Sequence, residues 1–286
     1  MALKNLRVFV ALEIVFVFVA LSHSGDSFKN SYITGKHLLH TMKKLENKTV
    51  LITGGSKGIG FGIAEVLMRE KMKIGITSRS KKAAEEAAAR LNKIGGGEAI
   101  GIEADVRDLQ SQKKAVDRMI EKWGALDVMI ANAGIGHFGS VETLTEDQWK
   151  ETIDTNLTGV FYSVKASLEE LKKSAGYIIT ISSLAGTNFF AGGSAYNASK
   201  FGLVGFSQAL MLDVRDLGIK VTTIMPGSVA TYFNNHQPSP EDAWKIQPED
   251  IGEMVASLLR MHPRTLPSKI EVRPSVVSGK SSVPTR

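Results

Sequence analysis

Cysteine is absent from all 286 residues. That excludes disulfides, a thiolate nucleophile and any cysteine-held metal site. Histidine is scarce too, six in all. His137, His236 and His262 stand alone, and His37 and His40 share helical spacing only within the amino-terminal stretch. Without acidic partners at ligand spacing, no metal site is expected. The formal charge of +6 contains no dense Lys/Arg run with interleaved aromatics, so a nucleic-acid surface is not expected. Long apolar runs are missing as well. The longest, Val8–Leu21, has 14 residues, is interrupted by Glu13 and falls short of the ~20 that a membrane span needs.

That run follows Lys4 and Arg7 and precedes Ala20-Leu21-Ser22, so it fits a secretory h-region or an anchor over residues 4–21. A leader outside the domain, from an upstream start, is the first expectation, and a structured extension a further alternative: residues 22–41 are polar and patternless, and Met42-Lys43-Lys44-Leu45 runs straight into the first strand. The expected organisation is therefore residues 1–41 outside the domain, one domain over 42–274, and a flexible Ser/Val/Pro-rich tail over 275–286. The expected location is cytoplasmic, with membrane anchoring or export through the apolar segment as the alternative.

What is present is a strand–helix alternation. Strands are expected at Thr49–Thr53, Lys73–Thr77, Ala99–Ala104, Leu126–Ala131, Tyr177–Ser182, Lys220–Met225 and Lys269–Arg273. Between them come helices from Gly58 to about Lys71, over Lys81–Lys93 and Leu109–Trp123, a long one near Glu146–Lys172, and one carrying Tyr196 to about Leu217. This pattern predicts a single α/β domain: a doubly wound, Rossmann-like parallel sheet of about seven strands with helices on both faces, binding ligands at the strands' carboxyl ends.

Thr53-Gly54-Gly55-Ser56-Lys57-Gly58-Ile59-Gly60 joins the first strand to the first helix. Glycines there let backbone approach a pyrophosphate, and the helix N-terminus favours the anion. At the end of strand two, where an acid would hold ribose hydroxyls, the chain has Thr77-Ser78-Arg79-Ser80. Arg79, assisted by Lys57, suits a 2′-phosphate, and no carboxylate stands there to repel it. Farther on, Tyr196 and Lys200 lie four apart on one helix face, with Ser183 thirteen residues upstream. A phenol titrates near ~10. A neighbouring ammonium is expected to draw it toward the working range, making a proton-transfer device that a strand-end serine completes. Taken one at a time, the tyrosine also fits packing and the lysine surface charge.

Together the glycine loop, Asn132-Ala133-Gly134, Asn156, Ser183, Tyr196 and Lys200 resemble the short-chain dehydrogenase/reductase family over about Lys48 to Val229. The resemblance implies that Tyr196 is the general acid/base, that Lys200 lowers its pKa and binds the nicotinamide ribose, that Ser183 orients the substrate carbonyl, and that Asn156 holds a water in a proton relay. It implies that Gly54, Ser56, Lys57, Ile59 and Gly60 line the cofactor phosphates, Asp105 and Val106 touch adenine, Asn132 braces the sheet against the cofactor, and Thr231 meets the nicotinamide amide. With Arg79, the implied cofactor is NADP(H).

The implied reaction interconverts a ketone or aldehyde and an alcohol, with a small carbonyl substrate and a homodimer or homotetramer formed through the helices bearing Asn156 and Tyr196. The chain end, Lys269–Pro274, lacks the glycine-rich finish of bacterial 3-oxoacyl-carrier-protein reductases and is more similar to small NADP-dependent carbonyl and 3-hydroxy-acid oxidoreductases. Thr231–Gln247, with Tyr232, Phe233 and Trp244, reads as a compact lid, and His137, Phe189 and Phe190 as pocket residues that also fit core or loop. Two alternatives stand beside this reading: a membrane-anchored lipid or steroid dehydrogenase, and a catalytically idle NADP-binding sensor.

Overall fold

The computed structural model describes residues 44–276. The leader over 1–41 and all but the first two residues of the 275–286 tail lie outside them. Seven strands form one parallel sheet: β1 (Thr49–Ile52), β2 (Lys73–Ser78), β3 (Glu98–Glu103), β4 (Val128–Ala131), β5 (Tyr177–Ile181), β6 (Lys220–Pro226) and β7 (Lys269–Val272). Their spatial order is β3-β2-β1-β4-β5-β6-β7. The order reverses between β1 and β4, which opens a crevice at their carboxyl ends.

Side chains alternate across each strand and so feed two cores. Val50, Ile52, Ile74, Ile76 and Ile130 pack on α1 (Gly58–Arg69), α2 (Lys81–Ile94) and a later helix. Leu51, Met129, Ile178 and Val221 face α3 (Leu109–Trp123) and two further helices on the other side. Central strands buried on both faces explain why β1, β4 and β5 carry no charged residue and read as mainly apolar runs.

Two stretches differ from the sequence expectation. The long helix expected near Glu146–Lys172 is two: α4 (Glu146–Ile153) and α5 (Gly159–Ser174), joined by a π-helical turn over Asp154–Thr158. Hydrophobic spacing does not register one extra residue in a turn. A capping box starts α4, with Thr145 and Gln148 exchanging side-chain and backbone hydrogen bonds. After α6 (Ser194–Val214), which gives way to a 3-10 turn over Arg215–Leu217, a helix not expected from sequence, α7 (Pro248–Arg260), packs on α1. Its start was written in Gln247-Pro248-Glu249-Asp250, a capping box with proline in the first turn. Among the described residues no helix is long and apolar enough to cross a membrane.

Candidate active site

A cavity of about 760 Å³ opens over the carboxyl ends of the strands. At its floor the turn after β1 delivers the chain to α1. Gly54 is in the left-handed region (φ +63°), and a Cβ there would stand 2.9 Å from the Ala133 Cα, so this turn admits glycine only. No side chain caps α1 and no acid occupies its first turn, which leaves its free N–H groups open to an anion. Gly54, Ser56, Lys57 and Ile59 line the cavity. Gly60 does not. It lies one layer behind, where a Cβ would meet the Asn132 Nδ2 at 2.5 Å, so its part is to let α1 pack closely. Asn132 lines the cavity and braces the loop by donating to the Thr53 and Gly54 carbonyls at 2.9 and 3.1 Å.

The loops after β2 and β3 form one end. Arg79, Asp105 and Val106 all line it. Arg107 grips the Asp105 carboxylate through Nε and a 2.7 Å bond from Nη2, and this holds the carboxyl below its usual range. Glu151, on α4, sits between a histidine and two arginines. His137 Nε2 is 2.9 Å away, and Arg79 and Arg107 each approach to 3.6 Å. The His137 hydrogen bond, then the two arginines, hold the Glu151 carboxyl low. Two buried hydroxyls on this wall, Thr77 Oγ1 and Thr155 Oγ1, have no partner within the protein.

The other end comes from β5, α6 and the loop after β6. Ser183, two residues past β5, is in extended conformation and lines the cavity with Tyr196 and Lys200. The Lys200 ammonium lies 5.7 Å from the Tyr196 ring centroid and donates to the Ile181 carbonyl at 3.0 Å. Burial alone lowers Lys200 to about 8. The expected lowering of the Tyr196 phenol by this cation is not what the protein-only site displays. Burial pushes the phenol up, with the Ser183 hydrogen bond opposing. A desolvated phenol loses more than an ammonium itself desolvated and turned to a carbonyl gives back.

Asn156 sits in the π-turn and is fully buried. It accepts from the Ile135 N–H at 2.8 Å and donates to the Ile135 carbonyl at 2.8 Å and Ser199 Oγ at 3.0 Å. Both amide protons are spent, so the side chain ties the loop after β4 to α6 and reaches no cavity water through its donors. Such bulges recur where a helix must present an irregular position.

Thr231 lines the cavity at the start of the loop after β6, whose two 3-10 turns span Phe233–Asn235 and Pro240–Trp244. Asp242 pins this loop. It takes 2.5 Å from Lys245 Nζ, 2.6 Å from His236 Nε2 and 3.1 Å from the Ser239 N–H. Lys245 and then His236 hold its carboxyl far below the usual range.

The short chain dehydrogenase family model matches residues 48–242, more than half of the chain. The chain belongs to this family. Trans-4-hydroxycyclohexanecarboxylate dehydrogenase of Sinomonas cyclohexanicum is 36% identical over 193 residues, covering 66% of this chain and 74% of that one. The 3-oxoacyl-[acyl-carrier-protein] reductase of Vibrio harveyi is 35% identical over 188 residues, 65% and 75% of the two chains. Among solved structures, an alcohol dehydrogenase of the archaeon Thermococcus sibiricus, complexed with 5-hydroxy-NADP, superposes with a TM-score of 0.77 at 28% identity, covering 82% of this chain and all of that one.

As a short-chain dehydrogenase the protein is an oxidoreductase acting on CH–OH or C=O groups with a nicotinamide cofactor. The cavity fits such a group. It pairs an uncapped helix N-terminus with two orphaned hydroxyls, and these are hydrogen-bonding partners the protein leaves to a ligand. Sequence reasoning missed Arg107, Glu151 and the Asp242 hub. Only the i,i+3 spacing of Asp242 and Lys245 hinted at any of them, because Glu151 meets Arg79 and His137 across separate loops.

Proposed function

We propose that the protein is an NADP(H)-dependent reductase of a ketone or aldehyde, of the carbonyl or 3-oxoacyl type, with Tyr196 as general acid. The observation that carries this reading is the shared cavity. Ser183, Tyr196 and Lys200 stand at one end, and the open α1 N-terminus with Lys57 and Arg79 at the other. When bound, the dinucleotide supplies hydride to the carbonyl carbon and is oxidised. The carbonyl π pair moves onto oxygen, where Ser183 and Tyr196 donate hydrogen bonds to the growing charge. The oxygen takes the Tyr196 proton and leaves as the alcohol. Lys200, held at the Ile181 carbonyl, binds the nicotinamide ribose and favours the phenolate that remains. Thr231 meets the carboxamide, and Ser56, Lys57 and Ile59 hold the phosphates.

Arg79 favours the 2′-phosphate, and the turn after β2 carries no carboxylate of its own. Glu151 shares Arg79 at 3.6 Å, so the preference for NADPH over NADH is moderated. Exposed Phe161 on α5 and Phe201 and Leu212 on α6 form the face through which the chain pairs with itself. The test is oxidation of NADPH and of NADH by the full-length protein over a carbonyl panel. Turnover with NADPH in preference supports the reading. Tight NADPH binding with no carbonyl reduced would leave the idle sensor instead.

A further inference from the structure

Resting on the reductase reading, we infer that the substrate carbonyl carries a bulky, uncharged apolar group, a carbocycle or aryl ring, seated against an aromatic wall built around Tyr196. Three separate loops each send one phenylalanine to this place. Phe138 follows β4, Phe190 follows β5 and Phe233 follows β6. Phe138 and Phe233 flank the Tyr196 ring, with centroids 5.4 and 5.7 Å from it and 6.2 Å from each other. Phe190 extends the wall from Phe138 at 5.9 Å.

These rings touch one another yet remain 41%, 37% and 49% exposed for Phe138, Phe233 and Phe190. Packing that served only the core would hide them. Apolar surface kept open beside a reacting group is surface that a ligand covers. The backbone beneath is shaped to fit: a Cβ on Gly136 would stand 2.7 Å from both the Phe138 and Phe233 rings. Asn234 and Asn235, both in the left-handed region (φ 54° and 59°), follow Phe233 directly and give that ring a joint on which to shift.

Charge decides between an apolar and an acidic substrate. Lys245 and His236 share the Asp242 carboxylate, His137 is engaged by Glu151, and Lys200 turns to a carbonyl. An anionic substrate would find Lys245, Lys200 and both imidazoles already engaged, whereas an apolar ring replaces water on three phenylalanines.

The test is a substrate series at fixed NADPH: acetone, cyclohexanone, acetophenone and, as the charged counterpart, acetoacetate. Each buried methylene adds about four-fold to kcat/KM. Acetophenone and cyclohexanone are therefore expected to exceed acetone and acetoacetate at least 50-fold. Phe138→Ala and Phe233→Ala should each cut that advantage about ten-fold, and Phe233→Leu should restore part of it. Since these rings lie on exposed loops, the melting temperature checks that each variant folds. Acetophenone binding to Tyr196→Phe protein with NADPH, measured calorimetrically, provides a readout independent of turnover. Binding that Phe233→Ala removes supports the wall even if no carbonyl in the series is reduced, in which case the reductase reading fails and not the apolar site. Equal or better rates with acetoacetate, or rates unaffected by both alanine variants, would overturn the inference. So would absence of acetophenone binding.

Discussion

The two halves of the cleft are built by opposite means. On the β1–β3 side the work falls to backbone and to residues at fixed offsets from a strand end: Gly54 two residues past β1, Arg79 one past β2, Asp105 two past β3. On the β4–β6 side it is side chains, one from each of three loops of different length, meeting only because the strands are neighbours: Phe233 lines the cavity, Phe138 packs on it and Phe190 on Phe138. The first half is polar and anchored in a sheet buried on both faces. The second is aromatic, half exposed and hung on loops. A cofactor common to a family needs the same geometry each time, while a substrate particular to one protein is met by side chains on loops, where change is tolerated. Glu151 touches both halves through its charge, with Arg79 and Arg107 on one side and His137 on the other.

The largest expected effect sharpens the division. Tyr196→Phe should lower kcat by ~10²–10⁴ while NADPH affinity, followed by its fluorescence on binding, stays within a few-fold. A variant turning over at near the parent rate would remove the general acid from Tyr196. Next, Arg79→Ala should reduce NADPH affinity ~10–100-fold, the worth of a charged hydrogen bond, with NADH affinity little changed. Parallel losses for both cofactors would mean that Arg79 does not read the 2′-phosphate.

Glu151→Gln attacks the comparison where the halves join. Freed of its carboxylate, Arg79 should bind NADPH a few-fold tighter, worth ~1 kcal/mol or less for an exposed pair. The released His137 should raise KM for the carbonyl. An effect on only one of these constants would show that the halves are uncoupled.

The smallest effect concerns stability. Unfolded, Lys200 keeps its proton to about 10.5, and folded it yields it near 8. Between those values the unfolded chain binds more protons, so stability should rise with pH from about 8 to about 10.5 through this group, and the full penalty stands below 8. Lys200→Met should therefore raise the melting temperature at pH 7 by a few degrees, of order 1 kcal/mol, while abolishing reduction. A lower melting temperature in a folded variant would show that the Ile181 hydrogen bond outweighs the buried charge.

Legibility in the sequence followed the same division. Strands buried along their whole length, such as Val50–Ile52 and Tyr177–Ile181, lie within a residue or two of the bounds expected from sequence, and the glycine turn with them. The candidate residues Ser183, Tyr196 and Lys200 were legible because strand end and helix face fix their relation. The break at Asp154–Thr158 was not, since a π-turn leaves the hydrophobic spacing nearly intact. Neither was α7, whose start lies in capping chemistry just past a loop. Phe138, Phe190 and Phe233 lie more than forty residues apart, so no local pattern announces that their rings meet.

The π-turn makes the chain unforgiving of length. Deleting a single residue between Asp154 and Thr158 would let α4 and α5 fuse into one regular helix, which by local propensity is the easier structure. Yet each residue advances a helix by ~100°. The fused helix would therefore carry Ser163, Val164 and Leu171, all buried against the sheet, around toward water. It would also pull the Asn156 amide out of phase with Ile135 and Ser199. A substitution in this turn alters the contacts of one side chain, but the loss of one residue rewrites an entire face of the domain.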